Sequence, residues 1–235
     1  MEYGVFLEKL RSLSEEDFAD FQRRLIFTKR TILGVRTPLM RALAKECVSE
    51  IETLLSFPNE YYEVCFIKLT AVSLLPYEKF LQFFDQVVPL IDNWALCDGF
   101  RPKCIATHKQ EFLPHIERYF ASKEEFSVRF ALVSLLAFYV QTEYFSLLSD
   151  YLKRTDTRPY YVHMAAAWLM AELIIKDFTF GVNLLKEGVF DIKTHNKAIQ
   201  KARESFRLTK EQKEQLFALK IKEMNKVFYG YFTND

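Results

Sequence analysis

Apolar positions recur along this chain at helical spacing, and polar or proline-bearing breaks separate the runs at short intervals. The pattern predicts helices near residues 15–27, 38–55, 59–75, 77–88, 93–105, 109–121, 123–140, 142–154, 159–177, 179–187, 194–208 and 210–228. Start signals accompany several of them: Ser14 with Asp17, Thr37 ahead of Pro38, Pro159, Thr194, and Thr209 with Gln212 as a capping box. Short connections make successive helices antiparallel neighbours, so the stacked hairpins lead to a bundle or an α-solenoid. No repeat is visible by eye, but degenerate helical repeats with periods of roughly 40 residues keep little beyond apolar spacing. No Gly/Ser-rich linker or shift in composition divides the chain, which reads as one domain over residues 1–235.

Composition narrows the class. Only 6 Gly and 7 Pro occur in 235 residues, too few for the tight turns of a β-sandwich or barrel and too little Gly for a phosphate-cradling loop. The longest uncharged stretch, Phe130 to Thr142, falls short of the roughly 20 apolar residues a bilayer span requires. The opening MEYGVFLEKL lacks a basic region followed by an apolar run, so a cytoplasmic protein without a membrane partner is expected. Cys47, Cys65, Cys97 and Cys104 are scattered with no C-x-x-C among them, which suits reduced core thiols.

Charge changes the picture. The total is +1, but the charges are segregated. Arg23, Arg24, Lys29, Arg30, Arg36, Arg41 and Lys45 follow one another without an acid, and Glu46, Glu50, Glu52, Glu60 and Glu63 then precede Lys68. A second basic block holds Lys193, Lys197, Lys201, Arg203, Arg207 and Lys210 against Glu204 alone. Lys193, Lys197 and Lys201 are four apart and share a helix face, where phosphate is the obvious counter-ion. A solvated helix face is the simpler account of either block alone. In a curved solenoid both ends of the chain can contribute to one concave basic surface, so a single duplex can touch both blocks.

Three features bear on chemistry. Trp94 and Asp98 are i and i+4, which puts an indole and a carboxylate on one helix face. Arg129 interrupts the apolar run FSVRFALVSLLAFYV and requires a partner such as Asp98, unless it reaches solvent at a helix end. Trp168 lies in the small-residue run MAAAWLM. Cys97, Cys104, His108 and His115 have spacing that an unbroken helix would align, but Pro102 and Pro114 break it, so no metal is expected.

Five segments in order, GVRTPLMRALAKE (34–46), the W-x-x-x-D of Trp94 to Asp98, the Arg129 helix, YYVHMAAAWLM (160–170) and NKAIQKARESFR (196–207), resemble the bacterial DNA alkylation repair family, alkylpurine DNA glycosylases built from HEAT-like repeats. The resemblance covers nearly the whole chain. It implies an all-α, curved α-solenoid of stacked antiparallel helix pairs whose concave basic face holds duplex DNA, especially alkylated DNA. The implied reaction is hydrolysis of the N-glycosidic bond of cationic lesions such as 7-methylguanine and 3-methyladenine, by a monomer without cofactor or metal. By that resemblance Asp98 is the catalytic carboxylate, Trp94 and Trp168 flank the lesion's deoxyribose and backbone, and Arg129 lies near the DNA at the lesion. Arg23, Arg24, Lys29, Arg30, Arg36, Arg41, Lys193, Lys197, Lys201 and Arg203 are the candidate DNA contacts. Two places depart from the family pattern. Asn93-Trp94-Ala95 stands where active members resemble Trp-Trp-Asp, and Leu25 and Ile26 stand where an active relative has a tyrosine. Read from the residues alone, a non-catalytic module for distorted or branched DNA and a protein-interaction scaffold both stay open.

Overall fold

The computed structural model describes residues 2–222, so the aromatic run Phe228 to Phe232 and residues 223–228 of the helix expected over 210–228 lie outside the described residues, and within them that helix ends earlier, at Ala218. The described residues form helices and no β-strand: α1 (Tyr3–Ser12), α2 (Glu16–Leu25), α3 (Thr37–Glu46), α4 (Ile51–Ser56), α5 (Tyr62–Ser73), α6 (Tyr77–Val87), α7 (Trp94–Gly99), α8 (Lys109–Phe120), α9 (Glu125–Phe138), α10 (Phe145–Arg154), α11 (Tyr160–Lys176), α12 (Phe178–Lys186), α13 (Ile192–Glu204) and α14 (Lys210–Ala218). Alternate helices make one row, in which α5, α7, α9, α11 and α13 each pack on the next. The others lie against that row: α6 on α5, α8 on α9, α10 and α12 on α11, and α14 on α13. This two-layer stacking of helix pairs is the packing of an α-solenoid.

Burial follows layer. Helices α5, α9 and α11 of the inner row are apolar nearly all round and expose at most their end residues, whereas α6 and α10 bury one stripe. Small residues set the spacing on α11, where Ala165, Ala166 and Ala167 are buried and Gly181 of α12 meets the Ile174 backbone. A Cβ at Gly181 would stand 2.5 Å from the Ile174 Cα, so only glycine permits that approach.

Several expected boundaries move for local reasons. An extra helix, α1, precedes the first expected one because Phe6 and Leu10, one turn apart, bury into the core, with Phe6 against Phe57. The helix expected over 38–55 is interrupted by a 3-10 turn at Cys47–Glu50. The one expected over 93–105 ends at Gly99, because Pro102 cannot continue it and a 3-10 turn, Lys103–Thr107, follows. Ser14 does not cap α2; its hydroxyl donates back to the Arg11 carbonyl. The cap of α13 is Asp191, whose carboxylate accepts from the Thr194 N–H at 3.0 Å, so Thr194 is the third helical residue rather than the cap. Thr209 and Gln212 form the capping box as expected.

Two buried charges on α5 tie down the N-terminal part. One Glu63 oxygen accepts the N–H groups of Leu33 and Gly34 at 3.0 and 2.9 Å, which fixes the loop between α2 and α3. Gly34 in that loop has φ +85°, and a Cβ there would stand 2.3 Å from the Glu15 carbonyl oxygen. Lys68 donates to the carbonyls of Leu55 and Phe57 and to Asn59. Burial raises the pKa of Glu63 and lowers that of Lys68, each toward its neutral form.

Candidate functional site

The short helix α7, between 3-10 turns at Val88–Leu90 and Lys103–Thr107, carries two of the key side chains. Asn93 is fully buried and caps α7: its side-chain oxygen accepts the Leu96 N–H at 3.0 Å and its amide donates to Asp92 at 2.7 Å. An asparagine at this departure from the family pattern therefore has a structural task, which is to start the short helix that carries Trp94 and Asp98. The Trp94 indole N–H donates to the Leu25 carbonyl at 3.0 Å, linking α7 to the end of α2. Asp92 reinforces that link by accepting from Thr28 at 2.7 Å and pairing with Arg30 at 2.6 Å.

Asp98 and Arg129 meet, as the sequence suggested. Arg129 Nε donates to Asp98 Oδ1 at 3.0 Å, and Nη2 reaches Oδ1 and Oδ2 at 2.8 and 2.7 Å. Nη1 donates to the Tyr161 carbonyl at 2.7 Å, so the guanidinium joins α7, α9 and α11. Its side chain is 6% exposed against 21% for Asp98, so Arg129 does not reach solvent at a helix end. The carboxylate stays accessible on one side while a fixed cation holds it on the other. Cys97 beside it is fully buried, and burial pushes its thiol pKa far up, which leaves it inert.

Asp98 and Arg129 open into a cleft of about 410 Å³. Trp94, Trp168, Tyr160, Tyr161 and Phe27 supply its aromatic walls, with Leu25, Met164 and Lys201 completing the lining. Phe27 is 72% and Tyr160 56% exposed, so large rings stand at the rim open to solvent. All of Trp94, Asp98, Arg129 and Trp168 line this cleft. The sequence reading missed Phe27, Tyr160, Tyr161 and Met164. Tyr160, Tyr161 and Met164 lie four to eight residues before Trp168 on α11, a helical register that would have found them; Phe27 is in a loop and carries no such signal.

The candidate DNA contacts separate into two groups. Arg23 is engaged by Glu16 and Asp20 at 2.7 Å each, Arg30 by Asp92, and Arg36 by both oxygens of Glu15 at 3.0 and 2.6 Å. Arg24, Lys29 and Arg41 carry no hydrogen bond or ion pair among the described residues, and Arg23 and Lys29 line a shallow depression that shares Phe27 with the cleft. In the second block Lys201 lines the cleft itself, and Lys193 lies over the Tyr160 ring at 5.8 Å. Lys197 donates to Gln200, and Arg203 turns away to cover Phe217 at 4.7 Å. Among the described residues no cluster of three or more His, Cys, Asp or Glu side chains is arranged to hold a metal, and no helix is long and apolar enough to cross a membrane. Cys47, Cys65, Cys97 and Cys104 are free thiols.

A family model described as "DNA alkylation repair enzyme" matches residues 6–207, the greater part of the chain, including α7, α9, α11 and α13. No curated protein matches the chain.

Proposed function

The chain belongs to the DNA alkylation repair enzyme family, and from that premise we propose that it is a DNA glycosylase acting on cationic alkylated purines such as 7-methylguanine and 3-methyladenine in duplex DNA. The observation that carries this reading is the Asp98 carboxylate, gripped by buried Arg129 yet open to a cleft walled by Trp94 and Trp168.

An N-alkylated purine already bears positive charge and departs as a neutral base, taking the electron pair of the N-glycosidic bond. It needs little acid assistance, and the demand shifts to the sugar. As the bond lengthens, the deoxyribose acquires oxocarbenium character, and a fixed anion stabilises it most when the anion does not have to reorganise. Asp98 meets that condition because Arg129 fixes its orientation before substrate arrives. Water then adds to C1′ and gives up a proton, with the accessible side of the carboxylate to orient it. The indole faces of Trp94 and Trp168 favour a cation between them. Arg129 serves to hold Asp98, since each of its three nitrogens is engaged by Asp98 or Tyr161. Backbone contacts fall to cations free of carboxylates among the described residues, Arg24, Lys29, Arg41, Lys193, Lys197 and Lys201 first, with Arg23, Arg30, Arg36 and Arg203 in supporting positions.

One observation favours a second reading, a non-catalytic module for distorted or branched DNA. Both Asp98 oxygens already accept from Arg129, and three arginines of the first basic block are ion-paired within the chain. Incubating the protein with methylated genomic DNA and identifying the released bases separates the two. Release of 7-methylguanine or 3-methyladenine above the spontaneous rate is expected; salt-dependent binding with no release would favour the second reading.

A further inference from the structure

Arg129 is buried and each of its three nitrogens is engaged, so the cleft needs another group to hold the phosphates beside a reacting sugar. Arg101 stands next to it. This residue follows α7 directly, where buried Phe100 anchors the chain. Its Nε donates to the main-chain carbonyl of Asp98 at 2.9 Å, and its guanidinium covers the Trp168 indole at 5.7 Å from the ring centroid. The side chain is exposed, and neither Nη1 nor Nη2 has an acceptor among the described residues. One edge and one face of the guanidinium are thus fixed while its two amino groups stay open.

Lys201 of α13 shares with Trp168 the lining of two adjoining depressions. These are the cleft and a shallow groove beside it, where Arg207 is satisfied by Glu172 at 2.7 and 2.8 Å but Lys201 has no hydrogen bond or ion pair among the described residues. Trp168 therefore has in its surroundings two cations without carboxylate partners among the described residues. A guanidinium with Nε occupied and both amino groups free presents the fork that matches a phosphodiester. We propose that Arg101, with Lys201, forms a phosphate-binding subsite that seats the DNA backbone next to the deoxyribose that Trp168 flanks. The assignment rests on the DNA reading above.

The anchoring gives Arg101 a second consequence. Its Nε is tied to the residue whose carboxylate acts on the sugar, so a phosphate on Arg101 is in register with Asp98 through a single residue. Charge alone would supply affinity; the fork, held on both sides, would supply register. Lysine and glutamine at position 101 separate these contributions, because lysine keeps the charge and loses the fork.

The test is binding of a labelled, unmodified short duplex across a salt series, together with single-turnover base release, for the wild type, Arg101→Gln, Arg101→Lys and Arg158→Gln. Arg158 is an exposed arginine paired with Asp156 and serves as the reference. For Arg101→Gln the expected result is about tenfold weaker binding and a slope of log K against log salt shallower by about 1, the signature of one lost phosphate. Arg101→Lys is expected to keep the slope while release slows about tenfold. Binding and slope unchanged in Arg101→Gln would overturn the subsite and leave the DNA reading standing. Failure of the wild type to bind duplex at low salt would overturn both.

Discussion

Ion pairs between basic side chains and carboxylates bridge neighbouring helices in both layers of this molecule, and burial separates what they do. In the outer layer Arg118 of α8 pairs with Asp85 of α6, Arg154 of α10 with Glu117 of α8, and Lys153 of α10 with Glu187 beyond α12. Each of these side chains is between 43% and 57% exposed. In the inner row Arg129 and Asp98 are 6% and 21% exposed. Water screens the outer pairs, so each contributes about 0.2–1 kcal/mol and acts as a rung between repeats. The inner pair adds little net stability for its desolvation cost, but removing one member leaves a buried charge alone. The same chemistry therefore holds the stack together outside and holds a carboxylate at a fixed place inside.

Breaking the inner pair should have the largest effect. Asp98→Ala is expected to lower stability by about 3–5 kcal/mol, because it strands the Arg129 guanidinium; Asp98→Asn should cost less, since its amide oxygen still accepts from Arg129. Urea unfolding measures both. Next is Asn93→Ala, which removes a buried cap and the amide bond to Asp92, at about 1–2 kcal/mol, and should shift Trp94 emission as α7 loosens. The smallest effect belongs to the outer rungs, where Glu117→Gln should cost under about 1 kcal/mol and nothing measurable at high salt.

Acid should distinguish the layers in sequence. His163 of α11 is fully buried, with Nδ1 2.8 Å from the Thr194 hydroxyl, and burial lowers its pKa, with Lys193 and Lys197 adding to the shift and Asp191 opposing it. The unfolded chain takes up that proton first, so the inner contribution declines as pH falls below the ordinary histidine value of 6.5. The Arg154 hydrogen bond holds Glu117 below its ordinary 4.5, so the outer contribution is complete above that value and is lost as pH falls through the lowered one. Melting curves across this range should show two successive losses, with the first reduced in His163→Gln and its remainder left to His115 of α8, whose pKa burial also lowers.

Much of this was legible from the residues. Helical spacing gave the helix pairs, and the i, i+4 relation of Trp94 and Asp98 with a lone arginine in an apolar helix gave the core of the site. The repeat was not legible in side-chain identities, yet it appears in the separations of bonded partners across successive pairs: 33 for Arg118 and Asp85, 37 for Arg154 and Glu117, 31 for Arg129 and Asp98, and 35 for Arg207 and Glu172. Function of the basic blocks was harder to read, because their neutralising partners come from elsewhere in the chain. Glu15 lies 21 residues from Arg36, and Asp92 is brought to Arg30 by the contact between the α2 end and α7. Glu63 and Lys68 look like surface charges in the sequence and are buried, since only the packed loop supplies the groups that satisfy them. Arg101 drew no notice because its significance depends on Trp168, a neighbour only after folding.

The most direct test is single-turnover release from a duplex carrying one 7-methylguanine, comparing the wild type with Asp98→Asn, with DNA affinity and melting temperature measured on the same preparations. The account predicts a fall in release rate of about 10²–10³-fold with affinity nearly unchanged and the fold intact. Equal release by folded Asp98→Asn would contradict it, because the carboxylate that the inner row holds in place would then have no part in breaking the bond.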